Sequence, residues 1–142
     1  MKILVMGLPG SGKTTLATAL AKELNAEHFN ADAVRATLSK DLGFSIADRI
    51  EQARRMSALC DLSTSQYVIA DFVCPTDDTR EAFNADFVVW VDRIKEGRFE
   101  DTNKLFVAPE RYDYRVQGGL VIYHAYEIAE TIRPTKKRLR IV

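Results

Sequence analysis

A parallel α/β fold with helices on both faces of the sheet is predicted by three observations. Short apolar runs alternate with helical patterns along the chain, as in strand–helix–strand units. Gly7-Leu8-Pro9-Gly10-Ser11-Gly12-Lys13-Thr14 has the spacing G-x-x-x-x-G-K-[ST], and it sits between the apolar run Ile3-Leu4-Val5-Met6 and a helical pattern. That is the setting a phosphate-binding loop needs. A length of 142 residues suits one domain with a substantial core. Together they predict the P-loop NTPase class, as a single domain over 1–142 with a parallel five-stranded sheet.

After the first strand, a helix from about Gly12 to Leu24 places Leu16, Leu20, Ala21 and Leu24 on one face. Glu27 to Asn30 reads as a short second strand, and Ala33 to Lys40 as a short helix. Ser45 followed by Asp48 resembles a capping box opening a longer helix, with Ile46, Ile50, Ala53 and Met56 as its buried stripe. Tyr67 to Phe72 and Phe87 to Asp92 read as buried central strands; the parallel crossover between them requires a helix, expected over Thr76 to Asn84. Arg93 to Pro109 is charged and irregular, a candidate mobile segment. Asp113 to Val116 is the expected fifth strand, with Leu120 to Tyr123 as the competing choice, and Tyr123 to Ile132 the closing helix. No repeat or low-complexity segment is present.

Twenty basic and twenty acidic residues cancel, so no global field draws the chain to nucleic acid or to a membrane. The basic run Lys136-Lys137-Arg138-Leu139-Arg140 reads as a solvated terminus. Cys60 and Cys74 lack metal-site spacing. The N-terminus has no long apolar stretch and enters the first strand at once, so neither a signal peptide nor a membrane span is expected. A cytoplasmic location is expected. Partners expected are a small-molecule substrate and a second copy in a homodimer, with no membrane and no nucleic acid.

The loop defines the first half of the chemistry. Gly7, Gly10, Ser11 and Gly12 turn backbone N–H groups inward around phosphate oxygens, and the following helix points its positive end at the same anion. Lys13 reaches the β- and γ-phosphates of ATP, and Thr14 places a hydroxyl on Mg²⁺, with Thr15 next in the helix. A guanine-reading N-K-x-D is absent, since Asn103-Lys104-Leu105-Phe106 lacks the aspartate. A small-molecule kinase needs a second site at the carboxyl edge of the sheet. Asp32 and Arg35 follow the second strand and suit it: Asp32 to orient an acceptor hydroxyl or the waters around Mg²⁺, Arg35 to hold an anion. The bland readings are a helix-capping aspartate and a solvated arginine. Asp71, ending a buried strand, either faces Mg²⁺ or satisfies loop N–H groups.

Asp32-Ala33-Val34-Arg35, Leu38-Ser39-Lys40-Asp41-Leu42-Gly43-Phe44-Ser45, Asp48-Arg49-Ile50-Glu51 and Arg54-Arg55 resemble, in this order, consecutive motifs of the adenylylsulfate kinases. The likeness is nearly ungapped from Met1 to about Arg80, with a weaker return at Ala108-Pro109-Glu110. It implies ATP-dependent phosphorylation of the 3′-hydroxyl of adenosine 5′-phosphosulfate, giving 3′-phosphoadenosine 5′-phosphosulfate in sulfate assimilation. It also implies that Lys13 and Asp32 act on the transferred phosphate, that Arg35 and Arg49 hold the phosphosulfate, and that Phe44 stacks on the adenine. From the residues alone, Phe44 is either an exposed stacking ring or a core phenylalanine.

The chain also departs from the family pattern. Gln52 stands where the family's E-N-x-R-R motif has asparagine, so a substrate hydrogen bond is lost or lengthened. The S-F-I-S-P-[YH]-R stretch reads Asp71-Phe72-Val73-Cys74-Pro75-Thr76-Asp77, which keeps Phe72 as a substrate-binding candidate and makes Asp71 a metal candidate. Cys74 reads as a packed thiol. The lid after the fourth strand is much shorter, leaving Arg93, Lys95 and Arg98 as its cations. His28 and His124 fall outside the expected site and read as structural. The competing readings are a kinase for another hydroxyl acceptor (a nucleoside, a sugar or a modified polynucleotide) and a nucleotide-binding module without catalysis.

Overall fold

The computed structural model describes residues 1–97 and 99–133. Arg98 and the basic run 136–140 lie outside the described residues. The elements are β1 (Lys2–Met6), α1 (Lys13–Leu24), β2 (Glu27–Asn30), α2 (Ala31–Thr37), α3 (Ile46–Leu62), β3 (Val68–Asp71), α4 (Asp77–Phe83), β4 (Phe87–Val91), α5 (Glu100–Leu105), β5 (Tyr114–Val116) and α6 (Val121–Ile132). The strands form one sheet in the order β2-β3-β1-β4-β5 with every pair parallel. The P-loop NTPase class expected from the sequence is therefore the fold observed.

Alternation along β1 explains the two layers. Ile3 and Val5 pack with Leu16, Leu20 and Ile128 beneath α1 and α6. Leu4 and Met6 point the other way, to Met56, Phe83 and Trp90 beneath α3 and α4. A strand covered on both faces needs apolar residues at every position, and each such side chain contributes roughly 1.5–3 kcal/mol on burial.

Four features differ from expectation, each for a local reason. Helix α2 starts at Ala31 rather than Ala33, because the Asn30 side chain accepts from the Ala33 N–H at 3.0 Å and turns the strand directly into a helix. Ser45 caps α3 by accepting from the Asp48 N–H at 3.1 Å, but Asp48 accepts from the Gly43 N–H at 2.8 Å instead of closing a box on Ser45. The buried stripe of α3 is Gln52, Ala53, Met56 and Cys60, while Ile46 is exposed and Ile50 half-buried; the first turn borders a cavity, not the sheet. Finally, the segment expected to be irregular contains α5 and is docked. The Asn103 side chain clasps Gly97, accepting from its N–H at 2.7 Å and donating to its carbonyl at 3.0 Å. Gly97 in turn lies so close to the phosphate loop that a Cβ there would come within 2.9 Å of the Pro9 carbonyl oxygen.

Candidate active site

At the carboxyl end of β1, the loop calls for glycine by space at Gly7 and by backbone conformation at Gly12. A Cβ on Gly7 would run into the Val91 carbonyl oxygen of β4, and Gly12 is left-handed at φ 97°. Gly12 is also the N-cap of α1 and offers no side-chain cap, so the first amides of α1 are left to an anion. The buried Lys13 donates to the Leu8 carbonyl at 2.9 Å, curling under the loop. Gly10, Gly12, Lys13, Thr14 and Thr15 line a cavity of about 380 Å³. Gly7 and Ser11 are not on its wall and shape the turn from behind.

Asp71 closes the floor where β3 ends. It is 1% exposed. Its Oδ1 accepts from the Thr14 hydroxyl at 2.9 Å and the Asn30 amide at 3.0 Å, and its Oδ2 meets His28 Nε2. These partners are side chains, which decides against Asp71 as a cap for loop amides. Asn30 also donates to Thr14 Oγ1 at 3.2 Å. The Thr14 hydroxyl and the Asp71 carboxylate are hard oxygen donors, as Mg²⁺ requires, and a site of two oxygens completed by substrate phosphates is how Mg²⁺ is usually held. No cluster of three or more His, Cys, Asp or Glu among the described residues would cage a metal without that help.

The facing wall is built by α2, α3 and the loop between them. Asp32 lies in the first turn of α2 and lines the cavity; since Asn30 is the cap, the capping role is not Asp32's. Arg55 grips Asp41 with two bonds of 2.8 and 2.9 Å, anchoring that loop to α3. At its tip Phe44 is 67% exposed, so the core reading fails. The guanidinium of Arg35 lies 4.4 Å from the ring centre and that of Arg49 5.5 Å. Arg35 donates to the Gly43 carbonyl at 2.8 Å, and Arg49 Nε to the Phe44 carbonyl at 2.9 Å. Burial pulls both guanidinium pKa values below the ordinary arginine value, and for Arg49 the neighbouring Arg35 charge adds to the effect. An anion entering here would offset both effects by favouring the charged guanidinium.

Gln52 is buried on the same wall, donating weakly to the Ala31 carbonyl at 3.4 Å; its Oε1 is buried with no partner among the described residues. Phe72 lines the cavity edge-on to Phe83, with ring centres 5.5 Å apart. Cys74 is packed, as expected: burial pushes its thiol up to about 12. Asp77 sits at the surface, paired with Arg80 at 3.4 Å, and does not line the cavity.

From the short segment after β4, Phe99 and Thr102 reach the cavity, and Arg49 Nη2 donates to the Thr102 hydroxyl at 3.1 Å. Arg93 approaches the loop at Gly12, while Lys95 does not line the cavity. Sequence reasoning missed His28, Asn30, Phe99 and Thr102. The first two carried a signal: His28 and Asn30 alternate along β2 and so share a face, and Asn30 precedes a helix. Nothing local marks Phe99 or Thr102.

A parallel sheet with a phosphate-binding loop after its central strand, and a facing wall of Asp32, Arg35, Phe44 and Arg49 across one cavity from it, is the architecture of the P-loop kinase class. Residues 1–93 match the family model described as adenylylsulphate kinase, and the chain belongs to that family. The adenylyl-sulfate kinase of Shewanella oneidensis is 41% identical over 100 residues, covering 66% of this chain and 45% of the relative. That of Bacillus licheniformis is 42% identical over 85 residues, 55% of this chain and 43% of the relative. The chain thus spans under half the length of these curated relatives. Among solved structures, the Mycobacterium tuberculosis APS kinase in complex with AMPPNP and APS superposes with a TM-score of 0.77 at 22% identity, over 91% of this chain and 95% of that one. Shikimate kinase from Aquifex aeolicus gives 0.65 at 15% identity, over 93% and 96%. At these identities the likeness is one of fold.

Proposed function

We propose that this chain is an ATP-dependent kinase that phosphorylates the 3′-hydroxyl of adenosine 5′-phosphosulfate. One observation carries the reading: the phosphate loop and the D-x-V-R and G-F-S motifs, separated in sequence by α1 and β2, face each other across a single cavity. In this reading Gly7, Gly10, Ser11 and Gly12 shape the cradle, and Lys13 follows charge onto the transferring phosphoryl group. Asp32 orients the attacking hydroxyl, and its carboxylate accepts the proton as the new ester bond forms in line with departing ADP. Phe44 stacks on the adenine of the acceptor, Arg35 and Arg49 face its phosphosulfate, and Gln52 and Phe72 complete the pocket. Thr14 and Asp71 would hold Mg²⁺, which supplies charge neutralisation on the β- and γ-phosphates when bound.

The Cys74 and Asp77 departures leave this geometry intact, since one is packed and the other lies off the cavity. We further propose a homodimeric, cytoplasmic protein with one kinase domain. The exposed Ile122, Tyr123 and Tyr126 of α6, with Leu120 at its N-cap, support an interface, and no helix among the described residues is long and apolar enough to cross a membrane. Sedimentation velocity tests the dimer. The activity is tested with ³²P-labelled ATP, Mg²⁺ and a panel of adenosine 5′-phosphosulfate, nucleosides, sugars and oligonucleotides. Label on the 3′-position of adenosine 5′-phosphosulfate is expected; label on another acceptor alone would replace that substrate while keeping the kinase.

A further inference from the structure

We propose that His28 is a positioning residue for the phosphate end of the site, fixing the plane of Asp71 so that the Thr14 hydroxyl turns its lone pair toward the nucleotide's cation. The inference rests on the assignment of Thr14 and Asp71 to Mg²⁺ made above.

Asp71 ends β3 between β1 and β2, with Asn30 and Val5 as its strand partners. A carboxylate offers about four lone-pair sites. Oδ1 takes two of the protein's donors, the Thr14 hydroxyl and the Asn30 amide. Both act on one oxygen, and the terminal torsion of an aspartate is broad, so rotation about Cβ–Cγ is opposed at one end of the carboxylate only.

His28 supplies the second point, through Nε2 to Oδ2. A carboxylate only accepts, so Nε2 carries the proton. With the plane fixed, the Thr14 hydroxyl proton is committed to Oδ1. One Thr14 lone pair receives Asn30, and the remaining one faces the cavity that Thr14 and Asp71 both line. The imidazole is not on the cavity wall, so it acts through Asp71 and not on the nucleotide. This is the arrangement by which a partner outside the ligand set tunes a metal ligand, and loss of such a partner typically costs about 10–100-fold in metal affinity or activity.

The test is the gain in ATP affinity that Mg²⁺ confers, measured by titration calorimetry in excess Mg²⁺ and again in EDTA, for wild type, His28→Leu, His28→Gln and Asp71→Asn. The amide nitrogen of Gln reaches about as far as Nε2; Leu has no donor. We expect His28→Leu to lose about 10–100-fold of the gain with EDTA affinity unchanged, Asp71→Asn to lose at least as much, and His28→Gln to recover most of it. A structural role alone would shift melting and leave the gain in place. Should His28→Leu not fold, His28→Phe, a ring without a donor, carries the same comparison. Wild-type gain in His28→Leu or His28→Phe alongside loss in Asp71→Asn overturns the role of His28 and leaves the Mg²⁺ assignment standing. Equal loss in the donor-lacking and Gln variants overturns it too, because the bond is the claimed cause. An undiminished gain in Asp71→Asn removes the Mg²⁺ assignment and this inference together, whereas the acceptor assay above reports independently on the kinase.

Discussion

Gly7 sits where the phosphate loop presses on the end of β4, and a single methyl group there meets backbone, not a side chain that can swing away. Gly7→Ala should therefore destabilise the fold by about 1–3 kcal/mol, the scale of an overpacked core, seen as a lower urea midpoint with unchanged slope. Asp32 gives the opposite expectation. Asn30 already caps α2, and Asp32 is exposed in the first turn, so Asp32→Asn removes only a charge that helps the helix by about 0.3–1 kcal/mol. Turnover should fall by about a hundredfold or more, within the span attributed to a positioned acid or base, while the melting temperature stays within a few degrees. Full activity per folded molecule would sink the catalytic assignment.

At the scale of elements, the tie between α3 and the segment after β4 rests on Arg49 and Thr102. Thr102→Val keeps the shape of a buried side chain but removes the acceptor for Nη2. A hydrogen bond to a charged group is worth about 1.5–3 kcal/mol, so trypsin should cut after Arg93 or Lys95 about tenfold faster or more. An unchanged rate would mean that the Gly97–Asn103 clasp holds the segment alone. The same segment shows where reading a sequence stops. The central strands β1, β3 and β4 were legible because strands buried on both faces are written as apolar runs. The partly exposed edge strands β2 and β5 were legible only from their place beside helical patterns, and the phosphate loop because its spacing is set by the anion. Helix α5 was not, since Glu100–Leu105 has no apolar stripe and is placed by a clasp on Gly97 and by Pro9, ninety residues away. More than half of the cavity wall was legible through motifs, while His28 was passed over because its partner, Asp71, becomes its neighbour only when β2 and β3 pair.

Taken whole, the molecule buries both thiols, and burial pushes Cys60 and Cys74 up to about 12. An unfolded thiol ionises near about 8.5. Between these values the unfolded chain has lost protons that the folded chain keeps, so stability is full below the lower value and declines as pH rises toward the upper one. The urea midpoint should fall steadily from about pH 8.5 upward, and Cys60→Ala should flatten that slope. Arg49 has a different consequence for the molecule. One guanidinium holds the Phe44 carbonyl with Nε and the Thr102 hydroxyl with Nη2, so the loop proposed to stack the acceptor and the strap beside the phosphate loop are two ends of one lever. Thermodynamic reciprocity then applies: if a bound ATP analogue steadies the strap and tightens the acceptor by some factor, the acceptor must tighten the analogue by the same factor, commonly about 5–150-fold. Calorimetric titrations in both orders should close that cycle, and Arg49→Lys, which lacks the fork, should shrink both factors together, leaving two ligands that bind as strangers.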